Sequence, residues 1–329
     1  MKKIQYHKTG ALVISLDFEL LWGVIDKHGP EDYGESNVKN VEKVLPRLMA
    51  LFEQYGVKAT VGFVGMMLYP GKDELLLELP QKRPSYTNIA LSPYRAGYIE
   101  GIRREDASLY FASGLVEKLR QSPNIEIGSH TFCHYYCNEE GQTKEEFESD
   151  IRKATELAKE KGMKLRSIIF PRNQVRDEYL EVCARNGFKT YRGNPGHFFS
   201  KKRNPIWNKL GRLLDTYIPV TKTTYPYSEI TELNGITNVK ASRFFRPYSR
   251  RLACLEWLKV RRIKQELKQA AMHGEVYHLW WHPHNFGADM EKNLKQLETV
   301  LQTYKNCQSQ YGMGAYTMYE LASLINNQA

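Results

Sequence analysis

The sequence is poor in cysteine, and this excludes two ways of holding a fold together. It has five cysteines in 329 residues, an odd number, and none stand at the paired spacing of a zinc knuckle. We therefore expect neither a disulfide framework nor a cysteine-ligated structural metal. A reducing compartment suits such a chain best, and we predict a cytoplasmic location.

Long hydrophobic runs and phosphate-binding loops are also missing. The apolar segment near the N-terminus is interrupted by Asp17 and Glu19, which a signal peptide would not carry, and no stretch is long enough to span a membrane. No Gly-x-Gly-x-x-Gly or Walker-type loop follows a predicted strand, which argues against a dinucleotide-binding or P-loop fold. Hydrophobic residues still make up 42% of the chain, enough for an enzyme-sized core.

Predicted strands alternate with predicted helices about seven times along the chain. This order indicates an α/β fold of parallel strands with right-handed crossovers, either as an open sheet or as a barrel. Two stretches without periodicity, near residues 68–112 and 193–250, predict irregular insertions. We place them within a single catalytic domain of residues 8–327.

Two carboxylates stand where the first predicted strand ends. In Ser15-Leu-Asp-Phe-Glu, Asp17 and Glu19 are two residues apart, so strand alternation directs both to one face. The C-terminal edge of parallel strands is where α/β folds place their chemistry. The pair is therefore a candidate for catalysis or for metal binding.

His130 and His134 follow another predicted strand, residues 125–128. If the chain is helical after that strand, both imidazoles lie on one face and can bind one metal ion. A carboxylate from a second strand end, such as Asp17 or Glu19, would complete a two-histidine, one-carboxylate site. Two ordinary surface histidines are the alternative.

Two further strand ends carry charged or titratable side chains. Arg172, in Phe-Pro-Arg-Asn, can keep a neighbouring carboxylate ionised, although a lone arginine is more often a solvated charge. His282 follows the predicted strand 276–281 and is followed by proline, which places it at a position suited to a general acid. His284 lies two residues further on, so either histidine is a candidate for that role.

Taken in order, four motifs resemble those of the polysaccharide deacetylase (NodB-homology) family: Ser-Leu-Asp-Phe-Glu, Ser-His-Thr-x-x-His, Phe-Pro-Arg-Asn and Leu-Trp-Trp-His-Pro-His. The resemblance extends over most of the chain, from Ser15 to Leu321. It implies a distorted (β/α) barrel, which we expect to contain seven parallel strands. It also implies a hydrolase that removes N-acetyl or O-acetyl groups from sugars with a divalent metal, for which zinc is the expected ion.

The resemblance assigns catalytic roles by motif position. Asp17 corresponds to the base that takes a proton from the attacking water, Arg172 to the arginine that braces this base, and His282 to the acid that protonates the departing sugar nitrogen. The family also has an acidic residue that tunes the acid histidine. We assign that role to Asp215.

The resemblance also implies metal ligands and a substrate surface. The ligands are Glu19, His130 and His134, although the family usually has Asp at the position of Glu19. Residues near the motifs are candidates for binding the sugar, with core or rim packing as the alternative for the aromatic ones. They are Trp22, Tyr135, Trp280, Trp281 and His284.

The net charge of +10 favours anionic partners. Basic and apolar residues are interleaved from Lys259 to Lys268, which is typical of peripheral contact with an anionic membrane or of a solvated helix face. No base-reading motif accompanies the charge, so we predict no nucleic-acid binding. The expected substrate is an acetylated sugar, a sugar nucleotide or a lipid-linked saccharide. Hydrolysis of a ureide or imide, and an inactive carbohydrate-binding protein on the same barrel, are the alternatives.

Overall fold

The computed structural model describes residues 9–195, 211, 213–218 and 220–326. Both ends of the predicted domain, residues 8 and 327, lie outside the described residues, as do parts of the second predicted insertion. The extent of the domain therefore stays a prediction. None of the helices in the described ranges combines the length and the hydrophobicity needed to cross a bilayer.

Seven strands form a continuous parallel run at the centre of the fold. Numbered along the chain, the strands are β1 (Ala11–Phe18), β2 (Ala59–Phe63), β3 (Ile125–Ser129), β4 (Ser167–Ile168), β5 (Thr190–Tyr191), β6 (Tyr225–Pro226), β7 (Thr231–Leu233), β8 (Ile236–Asn238), β9 (Arg243–Phe244), β10 (Glu275–Trp281) and β11 (Gly314–Tyr316). Parallel pairing runs in the order β10-β1-β2-β3-β4-β5-β8. β6 and β7 add antiparallel pairs at the two ends, and β9 and β11 add parallel pairs to β10 and β1. The predicted α/β class is confirmed.

The segment from β8 to β9 curls this sheet into a distorted barrel. The main-chain N–H groups of Val239 and Ala241 donate to the β5 side, and those of Ser242 and Phe245 donate to β10. One segment thus bonds to both ends of the parallel run. It lies within residues 193–250, where only irregular structure was predicted, so that stretch supplies part of the barrel wall.

Helices follow most of the strands of the parallel run. They are α1 (Val41–Tyr55), α2 (Lys72–Leu77), α3 (Ser113–Arg120), α4 (Lys144–Glu160), α5 (Asp177–Arg185), α6 (Glu256–His273), α7 (Met290–Tyr311) and α8 (Met318–Asn326). α1 ends at Gly56, which adopts the left-handed conformation (φ 62°) that favours glycine. α4 begins with a capping box, which the spacing of Thr143 and Glu146 in the sequence predicts: each side chain accepts a hydrogen bond from the other residue's main-chain N–H.

β1 is buried along its whole length, and its two faces differ. The even-numbered positions, such as Leu12 and Leu16, pack into the main hydrophobic core. The odd-numbered positions begin with Ala11 and Val13, which belong to a smaller apolar cluster, and continue with the polar side chains of Ser15 and Asp17. Since strand side chains alternate in direction, this second face changes from apolar to polar toward the C-terminal edge. The site begins there.

Candidate active site

The C-terminal edge of the parallel run gathers the polar side chains. Asp17 and Glu19 come from the end of β1, His130 follows β3 and His282 follows β10. His282 Nε2 lies 3.7 Å from Asp17 Oδ2 and 3.6 Å from Glu19 Oε1. Both carboxylates are almost fully buried. The structure thus brings together side chains from three segments that are far apart in sequence.

Three potential metal ligands meet at this edge. Glu19 Oε2 lies 3.2 Å from His130 Nε2 and 3.0 Å from His134 Nε2. One possible ligand atom from each of the three residues lies within 4.8 Å of the other two, and all three side chains are buried. These are the three residues predicted as ligands.

The chemistry of the three residues fits a divalent metal. His130 Nδ1–H donates to the Ile169 carbonyl at 2.8 Å, so in the neutral imidazole Nε2 carries a lone pair. That lone pair faces the Glu19 carboxylate, and two electron-rich atoms then stand 3.2 Å apart with no proton between them. A cation between them converts this repulsion into coordination. One carboxylate and two imidazoles, one of them fixed by a main-chain carbonyl, suit zinc and similar ions.

Gly23 makes room for the Glu19 side chain. A Cβ atom added at position 23 would lie 2.1 Å from Glu19 Cδ and 2.2 Å from its Oε1. Contacts this short do not occur between nonbonded atoms, so any other residue at position 23 must displace the carboxylate. The requirement is one of space, because Gly23 is not in the left-handed region. Gly23 thus accommodates the longer acidic side chain at position 19.

The loop that carries the two histidines is not helical. Thr131 and His134 have positive φ values, 64° and 60°, which are uncommon for residues other than glycine. The prediction that His130 and His134 share one helical face is therefore wrong. They converge on Glu19 through a strained loop, and backbone strain of this kind is concentrated at functional sites.

Asp150 of α4 holds this loop in place. Its Oδ2 accepts a hydrogen bond from the Phe132 N–H at 2.8 Å, and its Oδ1 accepts one from the Cys133 N–H at 3.0 Å. The side chain is buried, and burial raises the pKa of Asp150 to about 6 even though these hydrogen bonds favour the carboxylate. Asp150 thus positions the backbone between the two histidines. It was not predicted from the sequence.

Arg192 pairs with Asp17. Its two terminal nitrogens donate to Asp17 Oδ1 at 2.6 Å and Oδ2 at 2.7 Å. The other donors reach Ser15 Oγ and Asn173 Oδ1, so all five N–H groups of this fully buried guanidinium have acceptors. Burial by itself raises the pKa of Asp17, but the Arg192 charge and hydrogen bonds, with smaller contributions from the nearby histidines, lower it below its ordinary value.

Arg172 does not make the contact predicted for it. Its guanidinium binds Asp26 Oδ2 at 2.7 Å and lies over the Tyr136 ring at 4.2 Å. Arg172 and Asn173 both have positive φ values, and this turn directs Asn173 toward Arg192 and Arg172 away from it. The sequence did carry a signal for Arg192, because that residue directly follows residues 188–191, for which the sequence predicts a strand.

A hydrogen-bond chain sets the tautomer of His282. Asn285 Nδ2–H donates to His282 Nδ1 at 3.1 Å, and the Tyr33 hydroxyl donates to Asn285 Oδ1 at 2.9 Å. The proton of the neutral imidazole is therefore on Nε2, the atom that faces both carboxylates. The His282 side chain keeps 22% of its surface exposed, so it is accessible from outside.

Asp215 is not part of this arrangement. It accepts hydrogen bonds from Thr221 and forms ion pairs with Arg243 and Arg262. Within the described ranges it makes no contact with His282, so the prediction that it tunes the acid histidine is wrong. The contact to the second imidazole nitrogen of His282 comes from Asn285, only three residues away.

Part of the sequence matches a known protein family. The family model described as Polysaccharide deacetylase matches residues 31–191. Residues 31–191, just under half of the chain, thus match a polysaccharide deacetylase domain. The matched range contains His130 and His134, whereas Asp17, Glu19 and His282 lie outside it. No curated protein matches the sequence.

Solved structures share the fold of this chain at low sequence identity. A Mycobacterium smegmatis protein assigned to the polysaccharide deacetylases has a TM-score of 0.59 and 11% identity, over 99% of this chain and 93% of that one. A 4-α-glucanotransferase from Thermococcus litoralis has a TM-score of 0.53 and 14% identity, over 96% of this chain and 40% of that one. A GH57-type branching enzyme from Pyrococcus horikoshii has a TM-score of 0.53 and 13% identity, over 96% and 70%. At such identities the similarity shows the barrel fold alone.

His284 lies behind His282 in the candidate site. Their rings stack with centroids 5.1 Å apart, and His284 Nε2 is 3.8 Å from Glu19 Oε1. Burial, followed by the neighbouring His282, lowers the pKa of His284 to about 3. The buried imidazole is therefore uncharged at neutral pH, and it offers little surface to a sugar.

Most of the aromatic residues predicted to bind sugar lie in the core of the domain. Trp22, Tyr135 and Trp281 are each at most 1% exposed, so for them the packing alternative is correct and the substrate-binding prediction is wrong. Trp280 is half-buried, and the Arg192 guanidinium lies over its ring at 4.2 Å. Trp280 thus helps to hold the arginine that pairs with the candidate base.

His278 supports Arg192 from below. Its Nδ1–H donates to the main-chain carbonyls of Val239 and Lys240, so its Nε2 accepts a hydrogen bond from the Ser15 hydroxyl at 2.8 Å. The Ser15 oxygen in turn accepts a hydrogen bond from Arg192. Burial, followed by the Arg192 charge, lowers the pKa of His278 to about 3, so it is neutral. A neutral imidazole avoids a second positive charge beside the arginine.

Proposed function

We propose that the protein is a metal-dependent carbohydrate deacetylase that removes acetyl groups, with N-acetyl groups as the preferred target, from a sugar or polysaccharide precursor. One observation carries the proposal. The Glu19, His130 and His134 group lies at one barrel edge with an arginine-paired carboxylate, Asp17, and an accessible imidazole, His282. Amide hydrolysis needs these parts together.

Glu19, His130 and His134 would hold the metal, for which we propose zinc. When bound, such an ion polarises the acetyl carbonyl and lowers the pKa of water to about 7. Glu19 is suited to the role because burial, which alone raises its pKa, is outweighed by the surrounding histidines, and its pKa falls well below the ordinary value. The carboxylate is thus ionised at any pH at which an enzyme works.

Asp17 would act as the general base. Arg192 holds both of its oxygens and keeps it ionised at neutral pH, so it accepts a proton rather than giving one. Its position at the end of a strand buried along its full length restricts its motion. The base is therefore oriented before substrate arrives, which is the usual requirement for efficient proton transfer.

His282 would act as the general acid. Its Nε2 carries the proton and lies within 4 Å of both carboxylates. From there it would protonate the departing sugar nitrogen. His284 suits this role less well, because its buried imidazole is uncharged and faces Glu19 from behind. Between the two candidates left open by the sequence, we therefore propose His282.

Acetate release from a matched panel of substrates tests the proposal. Zinc-loaded protein is incubated with N-acetylated sugars, sugar nucleotides and lipid-linked saccharides, and in parallel with ureides and imides. We expect acetate from at least one sugar substrate. Asp17→Asn should lose this activity while keeping its zinc, His130→Ala should lose zinc as well, and His273→Ala, at an exposed histidine, should change neither. If only ureides or imides are hydrolysed, the protein is an amide hydrolase for non-sugar substrates. If the zinc-loaded wild-type protein hydrolyses nothing in the panel, the proposed function is refuted. The cytoplasmic location stays a prediction.

A further inference from the structure

Exposed apolar side chains cluster around α6. The described residues include ten large hydrophobic side chains that are exposed, and six of these lie on α6 or next to it. Residues 214–218 and 220–221 lie beside the helix, because Arg262 of α6 donates to the carbonyls of Ile218 and Thr221. The six side chains are Leu214, Ile218, Val220, Leu255, Trp257 and Met272.

A set of cations without acidic partners borders this cluster. Five basic side chains line the groove between α6 and α7, and none has a carboxylate within ion-pair distance among the residues described: Arg261, Lys264, Lys268, Lys292 and Lys295. The only carboxylate that the described groove contains is Glu256. It is buried and pairs with Lys259 at 2.5 Å. None of the five positive charges is therefore held in an ion pair with a carboxylate among the residues described.

Helix geometry separates these cations from the other basic residues of α6. Lys259 and Arg262 point inward and are 1% and 3% exposed. Lys259 pairs with Glu256, and Arg262 pairs with Asp215 and Glu266. The inward charges are balanced and the outward ones are not, so α6 presents a positive face rather than the evenly mixed face of an ordinary solvated helix.

We propose that the surface formed by the six apolar side chains and the five cations, called here the α6–α7 surface, docks on an anionic phospholipid bilayer. The cations would contact the phosphates, and Trp257, 58% exposed, would lie at the interface. Positive charge alone would suit any polyanion. The exposed apolar side chains favour a bilayer, because only an apolar phase removes them from water.

The placement of this surface relates it to the site. α6 follows β9, and α7 begins at Met290, eight residues after His282. Both helices therefore begin at the C-terminal edge of the barrel, where the metal-ligand candidates lie. The surface runs along the length of both helices, so docking would lay the wall of the barrel on the bilayer. That edge would then lie beside the membrane, where lipid-linked saccharides are found. The docking itself does not depend on the proposed reaction.

Vesicle cosedimentation of the full chain tests the proposal. We expect binding to phosphatidylglycerol-containing vesicles that weakens with salt, and little binding to phosphatidylcholine vesicles. The triple variant Lys264→Glu, Lys268→Glu, Lys295→Glu should bind more than tenfold more weakly, since each basic residue near the surface contributes about a factor of five. An equally charged control variant, Lys118→Glu, Lys161→Glu, Lys164→Glu, changes exposed lysines around β3 and β4 and should bind nearly as wild type does.

Tryptophan emission adds a readout that a general charge effect would not move. Anionic vesicles should shift the emission of the wild-type protein to shorter wavelength, and Trp257→Phe should abolish the shift while leaving the thermal unfolding midpoint unchanged. Equal losses in the two triple variants, or no binding to anionic vesicles at low salt, would overturn the proposal. So would binding to heparin or duplex DNA that depends on the same lysines while vesicle binding does not. Hydrolytic activity enters none of these measurements.

Discussion

Replacement of Gly23 by alanine tests the metal site through a residue that is neither a ligand nor catalytic. The new Cβ would lie 2.1 Å from Glu19 Cδ, 2.2 Å from Oε1 and 2.6 Å from Oε2. Nonbonded carbon atoms approach to about 3.5 Å, so the carboxylate must retreat by about 1 Å or more. Metal–ligand distances tolerate only about 0.2 Å. The carboxylate should therefore leave the site.

We expect Gly23→Ala to weaken zinc binding by at least about 100-fold. Loss of a partner that merely orients a ligand costs about 10–100-fold in metal affinity, and displacement of a ligand itself should cost no less. A 100-fold loss corresponds to about 2.7 kcal/mol. Competition with a fluorescent zinc chelator measures the affinity directly. Gly114→Ala is the matched control, because a Cβ at that position meets nothing within 4 Å.

A double-mutant cycle shows whether the loss acts through Glu19. In a Glu19→Ala background the added methyl group at position 23 has no carboxylate to displace, so it should cause little further loss of affinity. Additive losses in the double variant would refute the reasoning, as would wild-type affinity in Gly23→Ala. Thermal unfolding of the metal-free proteins separates either result from a general loss of the fold.

Three further predictions address the residues behind the site. Arg192→Met should retain zinc but lose at least about 100-fold in activity, because it leaves the buried Asp17 carboxylate unpaired. Arg172→Met should keep most of the activity, and equal losses in the two variants would contradict the pairing of Arg192 with the base. Asp150→Ala should weaken zinc affinity about tenfold or more, since the loop that carries the two histidines loses both acceptors of its main-chain hydrogen bonds. An unchanged affinity in the chelator assay would count against a positioning role for Asp150. The pKa of His278 is lowered from 6.5 to about 3, so between pH 3 and pH 6.5 this residue takes up a proton when the protein unfolds. The unfolding free energy of the metal-free protein should therefore fall as the pH drops from about 6.5 toward 3. Urea unfolding should show a contribution of up to about 1.4 kcal/mol per pH unit that His278→Gln removes; the same slope in both proteins would disprove it.

The placement of the main polar residues could be predicted from the sequence because it depends on local rules. Strand alternation directs Asp17 and Glu19 to one side, and the parallel order of strands gathers strand ends at one edge. His130 and His282 needed only their positions just after predicted strands. The α/β class followed from the same alternation of periodic segments, and the capping box at Thr143 located the start of α4.

The partners of these residues were decided by tertiary structure. Whether Arg172 or Arg192 meets Asp17 depends on a two-residue turn with positive φ, which the motif pattern does not specify. Asn285 rather than Asp215 contacts His282 because the chain folds back within three residues, while Asp215 pairs with two arginines elsewhere.

The burial of individual side chains could likewise not be predicted from the sequence. Trp22 and Trp281 look like sugar-binding residues beside their motifs, and only the packing around the barrel shows that they belong to the core. On α6 the periodic pattern could not show that Lys259 turns inward while Lys264 and Lys268 face the groove. The amino-acid sequence by itself determined which chemical groups lie at the barrel edge, since backbone geometry is local. Which of them touch was decided by the tertiary structure, because contact depends on the packing of segments far apart in the chain.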